Sequence, residues 1–278
     1  MRELESAVIT EAVKALALEA AYHLEPDILD ALVAARDRET STLAGNVLEL
    51  LVANADIASR ELIPICQDTG LGVVFVELGQ EVTIRGDFNE AVQAGIRAAY
   101  AEGYLRKSVC DPLTRLNTGT NVPAVVHVEL VPGDRLRLAF LPKGCGSENM
   151  SGLAMLPPAA GRPGIVDFVT RLVVAAGANP CPPVVVGIGL GGTFEKAALL
   201  AKKVLLRPLG AAHPREDVAA LEQEIFTRIN AAGRGVQGFG GDNTALAVHI
   251  DLYPTHIASL PVAVNIQCHA HRYKEMVV

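Results

Sequence analysis

Tryptophan is absent from this 278-residue chain, and aromatic residues make up only 4% of it. A core must therefore be assembled from Ala, Val, Leu and Ile, which a 50% hydrophobic composition supplies in quantity. Long apolar runs are also missing: Val184 to Leu190 is short and broken by glycine, so no segment is long enough to span a membrane. The opening Met1-Arg2-Glu3-Leu4-Glu5 is acidic and leads into no signal-type apolar region, which sets the expectation of a cytoplasmic protein. Basic excess is lacking too. The formal charge of −7 argues against nucleic acid as a partner, since such binders need a basic face. A small anionic substrate stays open, because a few local arginines can dominate one pocket. Charged residues at 20% exclude general disorder. No internal repeat, low-complexity tract or linker stands out. The simplest expectation is one compact α/β (α+β) domain over residues 1–278, a mixed β-sheet surrounded by helices. The five cysteines are odd in number and scattered, which favours free thiols or metal ligands over disulfides.

Residues 1–60 read as helical, with Val8, Ile9, Val13, Leu16 and Leu18 on a mixed stripe. Pro26 opens a second segment, and Ser41-Thr42 can cap a third through Leu48, Leu51 and Ile57. A strand is expected from Gly72 to Leu78 and a helix from Phe88 to Tyr104. Ala124 to Val131 and Arg135 to Phe140 read as two strands joined by Pro132-Gly133-Asp134, a hairpin signature. Helices follow at 165–176 and 215–232. Val184-Val185-Val186 is a buried strand that runs into a glycine-rich stretch and a helix through Leu205. Strands at 245–252 and 260–266 close the chain before Cys268.

Ile65-Cys66-Gln67-Asp68-Thr69-Gly70-Leu71-Gly72 sets a thiol, an amide, a carboxylate and a hydroxyl side by side between two apolar runs. Glycine lets such a loop bend sharply around something. The same residues also suit a capping turn in which Asp68 and Thr69 satisfy backbone donors. Cys66, Cys181 and Cys268 each border an apolar segment, but gaps of 115 and 87 residues carry no metal-ligand spacing, and apolar-context cysteines are commonly inert. Gly187 to Gly192 matches a dinucleotide fingerprint, yet the acidic residue expected ~20 positions on is lacking, and close backbone packing is the better reading. Lys143 to Asn149 is either a helix N-cap with an acid in its first turn or a pocket wall of backbone donors. Cys268-His269-Ala270-His271 raises zinc as an alternative, without a second pair to complete four ligands.

Taken together, ICQDTG at 65–70, LRKSVCDP at 105–112, KGCGSEN at 143–149, NPCPPVVVGIGLGG at 179–192 and THIASLPVAVNIQCHAHR at 255–272 resemble the class I, iron–sulfur fumarate hydratases and L-tartrate dehydratases. The likeness spans nearly the whole chain and fits the α subunit of two-subunit enzymes. It implies a [4Fe-4S] cluster on Cys66, Cys181 and Cys268, with Cys145 as the first alternative thiol and one iron free of protein ligands. It further implies that Gln67 and Asp68 contact substrate, Asp68 handling a proton. Arg106 would pair with a substrate carboxylate, Gly144 and Cys145 would line the site, and His256 would bind or orient the substrate. The implied partners are a dicarboxylate and a separate β subunit, in a homodimer of α subunits or an α2β2 assembly. The expected reaction is hydration of fumarate to (S)-malate, with tartrate dehydration as the alternative. Outside this family, the competing reading is a zinc- or nucleotide-binding module.

Overall fold

The computed structural model describes residues 2–278. From the N-terminus run β1 (Arg2–Glu5), α1 (Ser6–Tyr22), α2 (Pro26–Arg38), α3 (Thr42–Glu61), β2 (Leu71–Gly79), β3 (Val82–Arg85), α4 (Phe88–Glu102), β4 (Val125–Val131) and β5 (Leu136–Lys143). The one-turn α5 (Cys145–Glu148) follows, then β6 (Gly152–Leu156), α6 (Gly161–Ala176), β7 (Val184–Gly191) and α7 (Phe194–Lys203). Last come α8 (Glu216–Ala231), β8 (Ala245–Tyr253), β9 (Leu260–Gln267) and β10 (Lys274–Val277). The mixed α/β class is as the sequence implies, but the strands are divided among sheets instead of gathered in one. The chain separates into two interleaved compact units. The first holds the residues up to Glu25, Ala55–Cys145 and Arg272–Val278; the second holds Pro26–Asn54 and Gly146–His271.

The first unit is built on the four-stranded sheet β10-β5-β2-β4, with β1 and β3 forming a small parallel pair. Val74 and Val76 of β2, with Leu136, Leu138 and Phe140 of β5, bury against α1 and α4. Small residues suit this packing: a Cβ on Gly95 of α4 would lie 2.5 Å from the Thr10 carbonyl of α1. The scarcity of aromatics is thus met by close helix approach. Asp87 caps α4, its side chain accepting the Glu90 N–H at 2.9 Å.

The expected hairpin between β4 and β5 does not form. β2 lies between them, parallel to β4 (Val73 opposite Val125) and antiparallel to β5 (Val73 opposite Leu141). The Pro132-Gly133-Asp134 link straddles the end of β2. Gly79 N–H donates to Arg135 O, Gln80 N–H to Val131 O and Glu81 N–H to Gly133 O. A turn signature reports that the chain reverses, not that the strands it joins are neighbours.

The second unit carries the sheet β6-β9-β7-β8. Val184, Val186, Ile188 and Leu190 of β7 pack with α6 and α8. The other face meets Ala197 and Ala201 of α7. Strand β7 is buried along its whole length, as a run of valine, isoleucine, leucine and glycine without a polar side chain requires. Added Cβ atoms on Gly187 and Gly189 would come within 2.1 and 2.0 Å of the Ala201 and Ala197 carbonyls, so these glycines exist for helix–strand contact.

The two units share a topology that no sequence repeat announces. In each, a central strand (β2, β7) leads through helix to a parallel neighbour (β4, β8) and then to an antiparallel one (β5, β9). A cysteine-bearing loop precedes each central strand (Cys66, Cys181), and another cysteine follows each antiparallel strand (Cys145, Cys268).

Candidate active site

In the first unit the loop before β2 is fixed by its own backbone. Ile65 N–H donates to Ala21 O at 3.0 Å, and then three successive carbonyls are each taken by a buried side chain. Arg272 Nη2 donates to Asp68 O at 2.9 Å, the Tyr100 hydroxyl reaches Thr69 O at 2.6 Å and Gly70 O at 2.9 Å, and Asn121 Nδ2 donates to Gly70 O at 3.1 Å. Burial pushes the Tyr100 phenol far above its usual range, so it stays a proton donor. Gly70 stands at φ +82°, with the Pro142 carbonyl carbon 2.7 Å from where a Cβ would be. Only glycine fits there.

Held in this way, the Asp68 carboxylate is aimed by two backbone donors. Gly70 N–H donates to Oδ1 at 3.0 Å, and Cys145 N–H, at the end of β5, donates to Oδ2 at 2.8 Å. Gly144 lines the same spot, a Cβ there coming 3.4 Å from Asp68 Oδ2. The capping-turn reading of Asp68 is therefore correct for one oxygen, while the other is engaged by a second motif 77 residues away. Gln67 is exposed and its Oε1 accepts the Cys66 thiol at 3.2 Å. Arg106 contributes its carbonyl to the Thr69 hydroxyl at 2.8 Å, while its guanidinium is exposed and pairs with no carboxylate among the described residues. Asn121 Oδ1 accepts the Ser108 and Val109 N–H groups, fixing the segment that follows Arg106.

In the second unit, Cys181 takes φ +55° and is exposed, and Cys268 is half-buried. Their loops are tied together. His269 N–H donates to Cys181 O at 3.3 Å, and Gln237 donates to Pro182 O through both its backbone N–H and its Nε2, at 2.7 and 2.6 Å. Gln237 Nε2 also lies 3.1 Å from His269 Nδ1. His256 sits exposed in the turn between β8 and β9, its Nδ1 accepting Ala258 N–H at 3.1 Å, and the turn is anchored by Thr255 Oγ1 on Gly192 O. His271 is fully buried with Nε2 2.7 Å from Leu205 O. Glu148 pairs with Lys202 and accepts Asn265 Nδ2 at 2.9 Å, so the acid of the KGCGSEN turn is engaged within the fold. No disulfide joins any of the five cysteines among the described residues. Among the described residues no three His, Cys, Asp or Glu side chains stand close enough together to hold a single metal ion.

The first unit thus brings Asp68 together with Gly144, Cys145 and the Arg106 backbone, and the second brings the Cys181 and Cys268 loops together. Tyr100, Asn121 and Arg272 escape the sequence reading. Tyr100 sits among helix alanines, Asn121 ends an Asn/Gly/Thr run and Arg272 ends the last motif, and nothing local signals that the partner of each is a distant carbonyl.

A family model described as fumarate hydratase (Fumerase) matches residues 10–277. The chain belongs to that family. Membership puts it among the hydro-lyases. It is 42% identical to a Methanocaldococcus jannaschii protein provisionally named L(+)-tartrate dehydratase subunit alpha, across 95% of both chains. It is 31% identical to the L(+)-tartrate dehydratase subunit alpha of Escherichia coli strain UTI89, across 95% of this chain and 88% of that one. Against the same-named subunit of Escherichia coli strain K12 it is 30% identical, across 97% and 90%. No helix among the described residues is long and apolar enough to cross a membrane.

Proposed function

We propose that this chain is the α subunit of a [4Fe-4S]-dependent hydro-lyase that interconverts fumarate and (S)-malate, its site completed by a separate β subunit. The observation that carries the reading is the Asp68 carboxylate, gripped by the Gly70 and Cys145 amides one residue beyond Gln67 and two beyond a free thiol. Cys66, Cys181 and Cys268 are assigned as the cluster ligands. The donor set suits the group: three cysteines, Cys181 exposed and Cys66 and Cys268 partly exposed, sit on loops at strand ends, and soft thiolates favour iron–sulfur clusters. When bound, such a cluster supplies a Lewis-acidic iron for the substrate's hydroxyl and carboxylate.

The chain's own residues account for the remaining requirements. Elimination breaks a C–H bond next to a carboxylate, and its electron pair becomes the double bond as the hydroxyl departs with the C–O pair; hydroxyl and proton together make up the water released. Asp68 takes that proton in dehydration and returns it in hydration. Its two backbone donors hold the carboxylate in one orientation and leave each oxygen a further lone pair for the proton. Arg106, exposed and without a carboxylate partner among the described residues, binds one substrate carboxylate through its planar fork. Gln67 and His256 orient the substrate, and the Gly144-Cys145 backbone closes the wall behind Asp68.

The relatives' names favour a second substrate, L(+)-tartrate, on the same machinery. Anaerobic co-expression with the β subunit, iron and sulfide analysis, EPR, and parallel assays on malate, fumarate and tartrate test both. The expected result is a cluster-bearing complex that favours fumarate and malate, with Cys181→Ser losing iron and Cys145→Ser keeping it. A colourless, iron-free protein after anaerobic reconstitution rejects the cluster reading, and tartrate turnover alone selects the second substrate.

A further inference from the structure

Arg272 is among the most buried large side chains of the molecule, at 1% exposure. Nη2 donates to the Asp68 carbonyl at 2.9 Å, while Nε and Nη1 find no hydrogen-bond partner among the described residues. It makes no ion pair with a carboxylate there. A buried guanidinium with two idle nitrogens, three N–H groups between them, is costly to the fold, since desolvating a charge is offset only by full pairing. Stability alone therefore gives no reason for a cation at this place, and an apolar side chain of similar length would serve packing better.

We infer that Arg272 is a positioning residue for the proposed reaction: it locks the Asp68–Thr69 peptide so that the Asp68 carboxylate faces its reacting position. The inference rests on the hydro-lyase reading given above. Geometry supports it from two further sides. Tyr100 and Asn121 hold the next two carbonyls, so the loop is pinned at three consecutive peptides by three different parts of the chain. Arg272 takes the first of the three, the one belonging to the residue whose carboxylate acts. Without it, the peptide before Thr69 is free to rotate while Tyr100 and Asn121 keep the rest of the loop in place. Arg272 also lies close enough to Tyr100 for its charge to act on the phenol, as does Asp68. The buried cation therefore also sits in the electrostatic surroundings of the carboxylate it aims.

The test compares Arg272→Met, which keeps length and loses the donor, with Arg272→Lys and Arg272→Ala, in the full α chain alone and in the αβ complex. Hydrogen–deuterium exchange of a peptide covering residues 64–72 in the chain alone is expected to quicken about tenfold in Arg272→Met, with α4 and β2 unchanged. In the complex, kcat is expected to fall about 100-fold with KM within about threefold of wild type and iron content equal. Thermal stability should be equal or higher. Millimolar guanidinium should restore part of the lost kcat in Arg272→Ala, and Arg272→Lys should fall between wild type and Arg272→Met. Unchanged loop exchange, or a kcat within about threefold of wild type in an active complex, overturns the inference. If the wild-type complex turns over none of the three substrates while loop exchange still quickens in Arg272→Met, the loop lock stands and the hydro-lyase reading falls.

Discussion

The loops around β2 and those around β7 occupy the same topological place in their two units, yet they are held by different means. Around β2, side chains do the holding: Tyr100, Asn121 and Arg272 take the carbonyls of residues 68–70, and Asp68 reaches across to the Cys145 amide. Around β7, backbone proximity does it. Gly187 and Gly189 seat the strand against α7, and Pro182 and Cys181 offer their carbonyls to Gln237 and His269. Equal topology thus fixes where a thiol emerges, before the central strand or after its antiparallel neighbour. Local side chains decide what stands beside that thiol.

The largest effect separating the two units is steric. Gly189→Ala would drive a methyl to 2.0 Å from the Ala197 carbonyl and is expected to cost more than about 4 kcal/mol, seen as insoluble or unfolded protein by circular dichroism. The counterpart Gly144→Ala meets Asp68 Oδ2 at 3.4 Å, an ordinary contact, and should fold normally with kcat reduced. Equal unfolding by both would erase the distinction between strand packing in one unit and site lining in the other. Next in size, Arg106→Ala should leave iron content and fold intact while lowering kcat/KM for a dicarboxylate about 100-fold or more, mostly through KM. Normal kinetics would remove Arg106 from the site.

Smaller still is Tyr100→Phe, which strips two carbonyls of a buried donor and should lower stability by about 1–3 kcal/mol in chemical denaturation. A neutral result would mean that Asn121 and Arg272 hold the loop unaided. The second unit offers a pH-dependent counterpart. Burial, with the Arg207 and His271 charges, depresses His249 to about 3, so it stays neutral in the folded state while its unfolded form gains a proton below about 6.5. The unfolded chain then binds more protons. Stability should fall as pH drops from about 6.5 towards 3, by about 1.4 kcal/mol per pH unit from this group. His249→Gln should flatten that part of the stability–pH curve, and an unchanged slope would show that other groups set it.

Much of the fold was legible. The strand at 72–78, the helix at 88–104 and the strand–glycine–helix run from Val184 appear within a few residues, because apolar periodicity and glycine placement are local properties. Short elements without such a signal were missed: β1, β3, β6 and β10 are four or five residues long and owe their form to a partner strand. The hairpin failed for the same reason, since Pro132-Gly133-Asp134 cannot encode that β2 fills the space between the strands it joins. The GIGLGG run lacks the acidic residue of a dinucleotide site, and Gly187 and Gly189 serve close packing against the α7 carbonyls.

The sequence alone determined the mixed α/β class, the aromatic-poor core and, through five ordered motifs, the family, because composition, periodicity and motif order need no third dimension. It also picked out Asp68, Gly144 and Cys145 as members of polar motifs. The tertiary structure alone decided that Asp68 Oδ2 meets the Cys145 amide, and that three carbonyls of one loop are held by residues as distant as Tyr100, Asn121 and Arg272. It also revealed the shared topology of the two units. These are hydrogen bonds and pairings between residues dozens to hundreds of positions apart, and their partners are mostly backbone atoms that every residue carries, so no residue type in the sequence marks where they will be.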